Sequence, residues 1–180
     1  MTYTFDIHPE ALKRRFSVYV VVAQRGGETL LYIGKTGDNR EGCNPLISRC
    51  GNHFSYNKIH SQIRNKIEEH ESWHYTYVFD HFDDYCDDLA ERRKKIDRIN
   101  EMERWLNIEV REAVEDLAGV RLLNPFGGHG YHNSVERQKR LAFRTVEAKQ
   151  KVQSIVATVL QLLAVGVDNL TDGTREEART

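Results

Sequence analysis

Two apolar runs separated by a pair of glycines constrain the fold of this chain more than any other feature. Residues 16–23 are β-branched or aromatic for the most part and carry no charge, and residues 30–33 form a second apolar run. The sequence Gln24-Arg25-Gly26-Gly27 lies between them. A glycine-containing turn between two β-forming runs is typical of an antiparallel hairpin. The sequence therefore predicts two neighbouring antiparallel strands near the N-terminus.

The periodicity of the remaining chain predicts one further strand and several helices. Apolar residues at helical spacing favour one or two amphipathic helices over 46–69 and a long helix over 85–117. Residues 74–79 alternate as a strand does, and residues 135–167 have helical character, polar at first and apolar towards the end. The order β-β-α-β-α-α predicts an α+β fold: a small antiparallel three-stranded sheet flanked by helices, with a long C-terminal helix.

Composition and length indicate one domain with appended segments. Hydrophobic residues make up 39% of the 180 residues, as in soluble globular proteins. Three widely spaced cysteines do not suit a disulfide scaffold, and we find neither a signal peptide nor a membrane span, so we expect a soluble, cytoplasmic protein. The predicted organisation is an N-terminal arm (1–15), a main domain (16–130), a C-terminal helical extension (131–167) and a flexible tail (168–180).

The net charge of −1 conceals two clusters of opposite sign. Residues 79–88 contain five aspartates, and residues 135–165 contain six Lys or Arg against two Glu. A basic cluster can mark a nucleic-acid surface, but a solvated helix face explains it equally well. Charge alone therefore does not identify a partner.

Two tyrosines occupy related positions on the predicted hairpin. The first strand contains Ser17-Val18-Tyr19, and the second contains Tyr32-Ile33-Gly34. This pair resembles the signature of the GIY-YIG nucleases, in which two tyrosines from adjacent antiparallel strands enter one active site. The second motif is intact, whereas the first is degenerate, with Ser-Val where the family name has Gly-Ile.

The residues that follow extend this resemblance over 16–124. The family has a basic residue after the second motif, and an Arg on the first helix with a His or Tyr four residues later. A metal-binding Glu follows on a later helix, with a large aliphatic residue three positions on, and then an Asn close to a Pro. The corresponding residues are Lys35, Arg49, His53, Glu103 with Leu106, and Asn124 with Pro125, and Glu101 is a nearby alternative to Glu103.

The resemblance implies hydrolysis of phosphodiester bonds, which requires an activated water molecule. A tyrosine with a pKa of about 10 is a poor base unless a neighbour favours its ionised form. We expect Lys35 to ease deprotonation of Tyr19 or Tyr32, so that one phenolate can take the proton of the water. His53 is expected to share the second tyrosine's proton or to bind the phosphate.

The same resemblance implies a metal ion and a group that holds the phosphate. Arg49 offers a planar fork that can bind phosphate oxygens in a bidentate manner. The carboxylate of Glu103 suits a hard cation such as Mg²⁺ (or Mn²⁺), whose remaining positions are taken by water and phosphate. Asn124 completes the expected set of catalytic residues, and no organic cofactor is implied.

Simpler interpretations of these residues remain open at this stage. Tyr19 and Tyr32 could be a cross-strand aromatic pair, and Arg49, His53 and Glu103 could be surface residues of helices. A zinc site is a further alternative, although its possible ligands match no paired Cys-x-x-Cys spacing and Cys50 suits a buried helix position. Those ligands are Cys43, Cys50, His53 and His60.

We expect a DNA endonuclease of the restriction type that acts as a homodimer, without a membrane partner. Residues 37–45 form a loop longer than in compact members of the family, which could read DNA or cover the site. The basic part of 135–167 could contact phosphates, and its apolar part could pack on the domain or on a second copy. Residues 124–130 are predicted to be irregular. The segment 127–132 could bring His129 or His132 to DNA, although a structural turn explains it better.

Three other functions are weighed. The first is a repair or mobile-element nuclease of the same family. The second is a catalytically inactive module that only binds nucleic acid or a protein. The third is a purely structural α+β domain, in which Arg49 and Glu103 would lie far from the tyrosines.

Overall fold

The computed structural model describes residues 2–37, 43–57, 59, 61–125 and 133–176, and for 166–176 the backbone alone. It is an α+β fold with a four-stranded mixed sheet of order β3-β1-β2-β4. The strands are β1 (Arg15–Arg25), β2 (Glu28–Lys35), β3 (His74–Asp84) and β4 (Val120–Leu122). The helices are α1 (Leu46–Phe54), α2 (Leu89–Val114), α3 (Ser134–Leu141) and α4 (Val146–Glu176), with short 3₁₀ turns at Pro9–Leu12 and His70–Ser72.

The predicted hairpin is confirmed and occupies the centre of the sheet. β1 and β2 pair antiparallel, from Val18 opposite Lys35 to Arg25 opposite Glu28. Gly26 and Gly27 form the turn with φ of 53° and 87°, a region that glycine enters without steric cost. β1 also pairs antiparallel with β3 along almost its whole length, so the third strand extends to Asp84, five residues beyond the prediction.

The prediction of three antiparallel strands is wrong in one respect, because a fourth strand pairs in parallel with β2. The three residues of β4 lie beside Thr29, Leu30 and Leu31. Such a short strand has no recognisable period in the sequence. It forms because α2 returns the chain to the edge of β2, as a parallel connection requires, where the amide of Thr29 donates to the carbonyl of Gly119.

The helices are shorter than their patterns predict. Among the described residues of 46–69, α1 is the only helix, and the chain then turns, although Ile63 and Ile67 remain buried. α2 begins at Leu89 rather than at 85, because the carboxylate of Asp88 accepts a hydrogen bond from the amide of Glu91 and caps the helix. The C-terminal region contains two helices instead of one.

Residues of the predicted irregular regions and tail are only partly described. Residues 38–42 of the long loop, 126–132 with both of their histidines, and 177–180 lie outside the described residues. The backbone of 168–176, which was expected to be a flexible tail, is helical.

The two faces of the sheet carry different layers, as the alternation of side chains along a strand requires. On one face, Val18, Val20 and Val22 pack with α2 and α4 in the larger core. On the other face, Tyr19 and Val21 belong to a second apolar cluster with residues of α1 and the segment after it. The candidate tyrosines lie on this second face.

The C-terminal helices pack on the domain. Ile155, Val159 and Leu163 of α4 are buried in the larger core, so this apolar stripe covers the sheet face opposite the tyrosines. Most of the basic side chains of this region are ion-paired with nearby carboxylates; these are Lys139, Arg140, Arg144 and Lys151. None of the described helices combines the length and the apolar character that a membrane crossing needs.

Candidate active site

The hairpin brings Tyr19 and Tyr32 to the same face of the sheet. Tyr19 lies opposite Gly34, and Tyr32 lies opposite Val21, which shares the face of Tyr19. The phenol of Tyr19 passes directly over Gly34: a Cβ atom at Gly34 would lie 2.5 Å from Tyr19 Oη. The glycine of the second motif is therefore required by the tyrosine of the first.

The degenerate first motif does not disturb this arrangement. The amide of Ser17 donates to Thr36 Oγ1 (2.8 Å), and Ser17 Oγ lies 2.7 Å from His81 Nδ1 on β3. The serine hydroxyl thus forms a cross-strand hydrogen bond that a glycine could not make. Two residues further on, Tyr19 keeps its regular position in both ladders.

Helix α1 supplies His53, which joins two tyrosines in a chain of hydrogen bonds. His53 Nε2 lies 3.0 Å from Tyr19 Oη, and His53 Nδ1 lies 2.8 Å from Tyr77 Oη. Its ring also makes an edge contact with Tyr32, with centroids 5.4 Å apart. Burial, and secondly the charge of Arg49, lower the pKa of His53 to about 4, so the ring is neutral at pH 7.

The partner of His53 differs from the predicted one. The histidine shares a hydrogen bond with the first tyrosine, Tyr19, and not with the second. Because a neutral imidazole has one donor and one acceptor nitrogen, and Tyr19 and Tyr77 occupy both, His53 is not placed to bind a phosphate.

Both candidate tyrosines are held in the neutral form. Burial, followed by the neighbouring Tyr32, raises the pKa of Tyr19 well above its usual value. Burial, followed by the charge of Glu103, raises the pKa of Tyr32 to about 12. The positive charge that opposes these shifts is that of Arg49 in both cases. Arg49 and Glu103 therefore lie close enough to act on both phenols.

Lys35, which was predicted to act on a tyrosine, contacts Glu103. Its ammonium donates to Glu103 Oε2 (2.5 Å), and the two side chains are 21% and 30% exposed. Lys35 follows Gly34 by one residue, so its side chain leaves the strand on the α2 face. In this arrangement Lys35 holds the Glu103 carboxylate, and the idea that it eases deprotonation of a tyrosine loses its support.

The structure distinguishes Glu103 from Glu101, which the sequence could not. Glu101 is fully buried, and its Oε1 lies 2.8 Å from Arg144 Nη2. The carboxylate of Glu103, in contrast, is partly exposed and acts on the tyrosines. Glu101 thus connects α2 to the C-terminal region through an ion pair with Arg144. Glu103 belongs to the candidate site.

A single carboxylate at this place suits Mg²⁺ better than a transition metal. Within the described part of the chain, no group of three or more His, Cys, Asp or Glu is placed to hold a metal ion. Mg²⁺ is commonly bound by one or two carboxylates together with water and substrate phosphates, so Glu103 fits it. The zinc alternative finds no such cluster: Cys43 Sγ contacts the carbonyl of Arg15, and both nitrogens of His53 face tyrosines. His60 lies outside the described residues.

Asn124 has a positioning role in this structure. Its Oδ1 accepts from the amide of Ile33 (2.7 Å), and its Nδ2 donates to the carbonyl of Ile33 (2.9 Å). Asn124 follows the last residue of β4 by two positions. Its side-chain amide therefore bonds to the backbone of β2 just beyond the end of the β2–β4 pairing. The contact fixes the backbone of β2 between Tyr32 and Gly34.

Two residues near the tyrosines were missed in the sequence. Tyr77 bonds to His53, and Lys66 Nζ lies 5.4 Å from the ring centroid of Tyr32. The alternation of β3 could have indicated Tyr77, since Tyr75, Tyr77 and Phe79 share a face. No periodic pattern in the sequence indicated Lys66, because it lies in the non-helical segment after α1.

The structure thus brings Tyr19, Tyr32, Arg49, His53 and Glu103 together from two strands and two helices. Comparisons of the chain with protein-family models, with curated proteins and with solved structures find no match. The side chains and their geometry are what a functional proposal must explain.

The buried, neutral His53 leads to a prediction about acid stability. Because its pKa is about 4 in the folded protein and about 6.5 when unfolded, the unfolded state binds more protons between these values. We expect the stability of the wild type relative to His53→Gln to be constant above pH 6.5. It should fall by up to about 3 kcal/mol as the pH decreases to 4.

Urea unfolding of both proteins at several pH values measures this difference. A difference that does not vary with pH would show that His53 is protonated as readily in the folded protein as in the unfolded chain.

Proposed function

We propose that this chain is a metal-dependent endonuclease that hydrolyses DNA phosphodiester bonds. The observation that supports this most strongly is geometric: His53 of α1 lies 3.0 Å from Tyr19 Oη and in edge contact with Tyr32, so the two motifs and the first helix meet at one place. The charges of Arg49 and Glu103, far apart in sequence, shift the pKa values of both phenols there. A cation, an anion and two phenols at one place are groups that phosphodiester hydrolysis uses. The constellation resembles that of the GIY-YIG nucleases, and we favour a small, sequence-specific restriction-type enzyme of that kind.

Arg49 and Glu103 provide the charges. The guanidinium of Arg49 would bind the non-bridging oxygens of the scissile phosphate, whose charge increases towards the transition state. Glu103 would hold Mg²⁺ or Mn²⁺, and such an ion, when bound, supplies Lewis-acid stabilisation of the phosphoryl and leaving oxygens. Lys35 orients the Glu103 carboxylate through the direct contact between them.

The tyrosines and His53 provide a path for a proton. A phenol with a raised pKa is almost entirely un-ionised at pH 7, so it cannot act as a preformed phenolate base. In the proposed path, Tyr19 accepts a proton from the attacking water as it passes its own proton to His53 Nε2. Burial disfavours the resulting imidazolium, so this transfer relies on the negative charge of the bound phosphate to stabilise it. Tyr77 accepts from His53 Nδ1–H and fixes the required tautomer. The partly exposed Tyr32 borders the reacting phosphate.

Two alternatives keep specific support. A repair or mobile-element nuclease would use the same residues, since these residues would act on the phosphate and not on the bases. An inactive binding module is the second, and the raised tyrosine pKa values are compatible with it. The purely structural domain is disfavoured, because it requires Arg49 and Glu103 to lie far from the tyrosines.

Metal dependence is the direct test of the proposal. We expect the purified protein to convert supercoiled plasmid and long phage DNA into discrete fragments with Mg²⁺ or Mn²⁺, and to be inactive with excess chelator. Agarose gels over a time course measure this, and re-addition of Mg²⁺ is the control. Nicking or smearing would favour a structure-directed or nonspecific nuclease. No cleavage with any metal, together with intact DNA binding, would favour the inactive module.

A further inference from the structure

A segment beside the tyrosines has an unusual charge pattern. Asp and Glu account for 27 of the 180 residues, but none lies in 43–67. The same stretch contains four Lys or Arg: Arg49, Lys58, Arg64 and Lys66. The protein has a net charge of −1, so this stretch is a local positive region on a nearly neutral chain.

The part after α1, described at residues 55–57, 59 and 61–67, packs against the candidate site. The amide of Arg64 donates to the carbonyl of His53 (3.1 Å), and Lys66 Nζ donates to the carbonyl of Leu123 (3.3 Å). Ile63 and Ile67 are buried in the apolar cluster that includes Tyr19. The described side chains of this 55–67 segment are therefore fixed relative to the tyrosines.

The outer side of the 55–67 segment combines aromatic and cationic groups. Tyr56 is 80% exposed, and the Arg64 guanidinium lies over its ring, 4.6 Å from the centroid. Ile59 is 76% exposed on the same segment. Among the described residues, neither Arg64 nor Lys66 forms an ion pair. The Nε atom of Arg64 is buried and has no hydrogen-bond partner within the described part of the chain.

The other basic region of the chain is different. Lys139, Arg140, Arg144 and Lys151 are neutralised by carboxylates of α2 to α4. A polyanion would have to compete with these carboxylates there. Glu68 and Glu69 directly follow the 55–67 segment, but among the described residues neither of them forms an ion pair with Arg64 or Lys66. Charge complementarity and continuity with the candidate site thus both favour the 55–67 segment as the place where nucleic acid docks.

We infer that the 55–67 segment binds the DNA backbone that flanks the scissile phosphate. Arg64 and Lys66 contact phosphates, and the exposed ring of Tyr56, oriented by Arg64, packs against a sugar or base of the same strand. This inference rests on the proposed function for the identity of the site, and it adds the surface that positions the substrate there.

Binding measured without metal tests this inference separately from cleavage. A fluorescent 30-base-pair duplex of mixed sequence is titrated with the full-length protein in chelator at several NaCl concentrations, with anisotropy as the readout. We expect Arg64→Gln and Lys66→Gln each to weaken binding about 3- to 10-fold and to reduce the slope of log K against log salt by about 1. Tyr56→Ala should weaken binding about 5-fold or more without changing this slope.

Matched variants control for charge, apolar exposure and folding. Lys94→Gln removes an exposed lysine of α2, and Leu89→Ala removes an exposed apolar side chain; both should bind as the wild type does. Lys66→Arg keeps the charge and should keep the salt slope. Circular dichroism checks the fold of each variant. If Lys66→Gln is unstable, Tyr56→Ala still tests the inference, because the Tyr56 side chain is exposed and its removal should not affect folding.

The outcomes separate this inference from the proposed function. Wild-type binding by all three segment variants, equal losses in Lys94→Gln, or no binding of the duplex by the wild type would each overturn the inference. Segment-dependent binding without any metal-dependent cleavage would support it while contradicting the nuclease proposal. Metal-dependent cleavage together with DNA binding that none of the three segment variants weakens would support the nuclease proposal and contradict this inference.

Discussion

Replacing Glu103 with glutamine is expected to slow DNA cleavage about 10²- to 10³-fold while leaving the protein folded. Glutamine keeps the size of the side chain but removes the anionic oxygen that would hold the metal ion and that accepts from Lys35. Loss of one such electrostatic group typically costs about 10²- to 10³-fold in rate. The Lys35–Glu103 pair is partly exposed, so its loss should change stability by less than about 1 kcal/mol.

Plasmid cleavage and urea unfolding of Glu103→Gln measure the two effects side by side. Glu112→Gln is the matched control, since it removes an exposed carboxylate from the same helix and should leave both quantities unchanged. Cleavage by Glu103→Gln at the wild-type rate would remove this residue from the proposed metal site.

Replacing Glu101 with glutamine is expected to destabilise the protein while leaving DNA cleavage unchanged. This carboxylate is fully buried and is the counter-charge of Arg144, which is 24% exposed, and its other oxygen lies 3.7 Å from Arg104 Nε. Removing one partner leaves the other charge uncompensated, which costs about 3–5 kcal/mol in fully buried pairs. Partial solvation of Arg144 reduces this, so we expect a loss of about 2–3 kcal/mol.

The two glutamates can be compared directly because they lie two residues apart on α2. Glu101→Gln should be markedly less stable in urea and should still cleave DNA at the wild-type rate per folded molecule. The double substitution Glu101→Gln with Arg144→Met removes the charges of the closer pair and leaves only Arg104 without its carboxylate, so it should recover part of the stability. A Glu101→Gln protein that is stable and inactive would exchange the roles assigned to these residues.

The sequence predicted the elements that have a strong local signal. The hairpin follows from two apolar runs and from two glycines that adopt positive φ, and both are properties of neighbouring residues. The long helix α2 follows from its periodicity. The limits of α2 and the break between α3 and α4 were missed, since a cap such as Asp88 is one of many polar residues that could end a helix.

β4 shows why part of the fold could not be predicted. Three residues carry no period, and they pair with β2 only because α2 returns the chain there. This missed strand positions Asn124, whose amide group binds the backbone of Ile33. An asparagine near the end of the domain could be named from a resemblance, but its contact depended on a strand that the sequence did not reveal.

The candidate site likewise has features that the sequence predicts and features that depend on the tertiary structure. The sequence by itself determined which residue types are available and that Arg49 and His53 share a helix face, since i, i+4 spacing fixes this locally. Only the tertiary structure decided that His53 joins Tyr19 to Tyr77, that Lys35 turns to Glu103, and that Glu101 is a buried ion-pair partner. These contacts join residues far apart in the chain. The pKa shifts of Tyr19, His53 and Tyr77 arise first from burial, which depends on how whole layers pack and not on neighbouring residues.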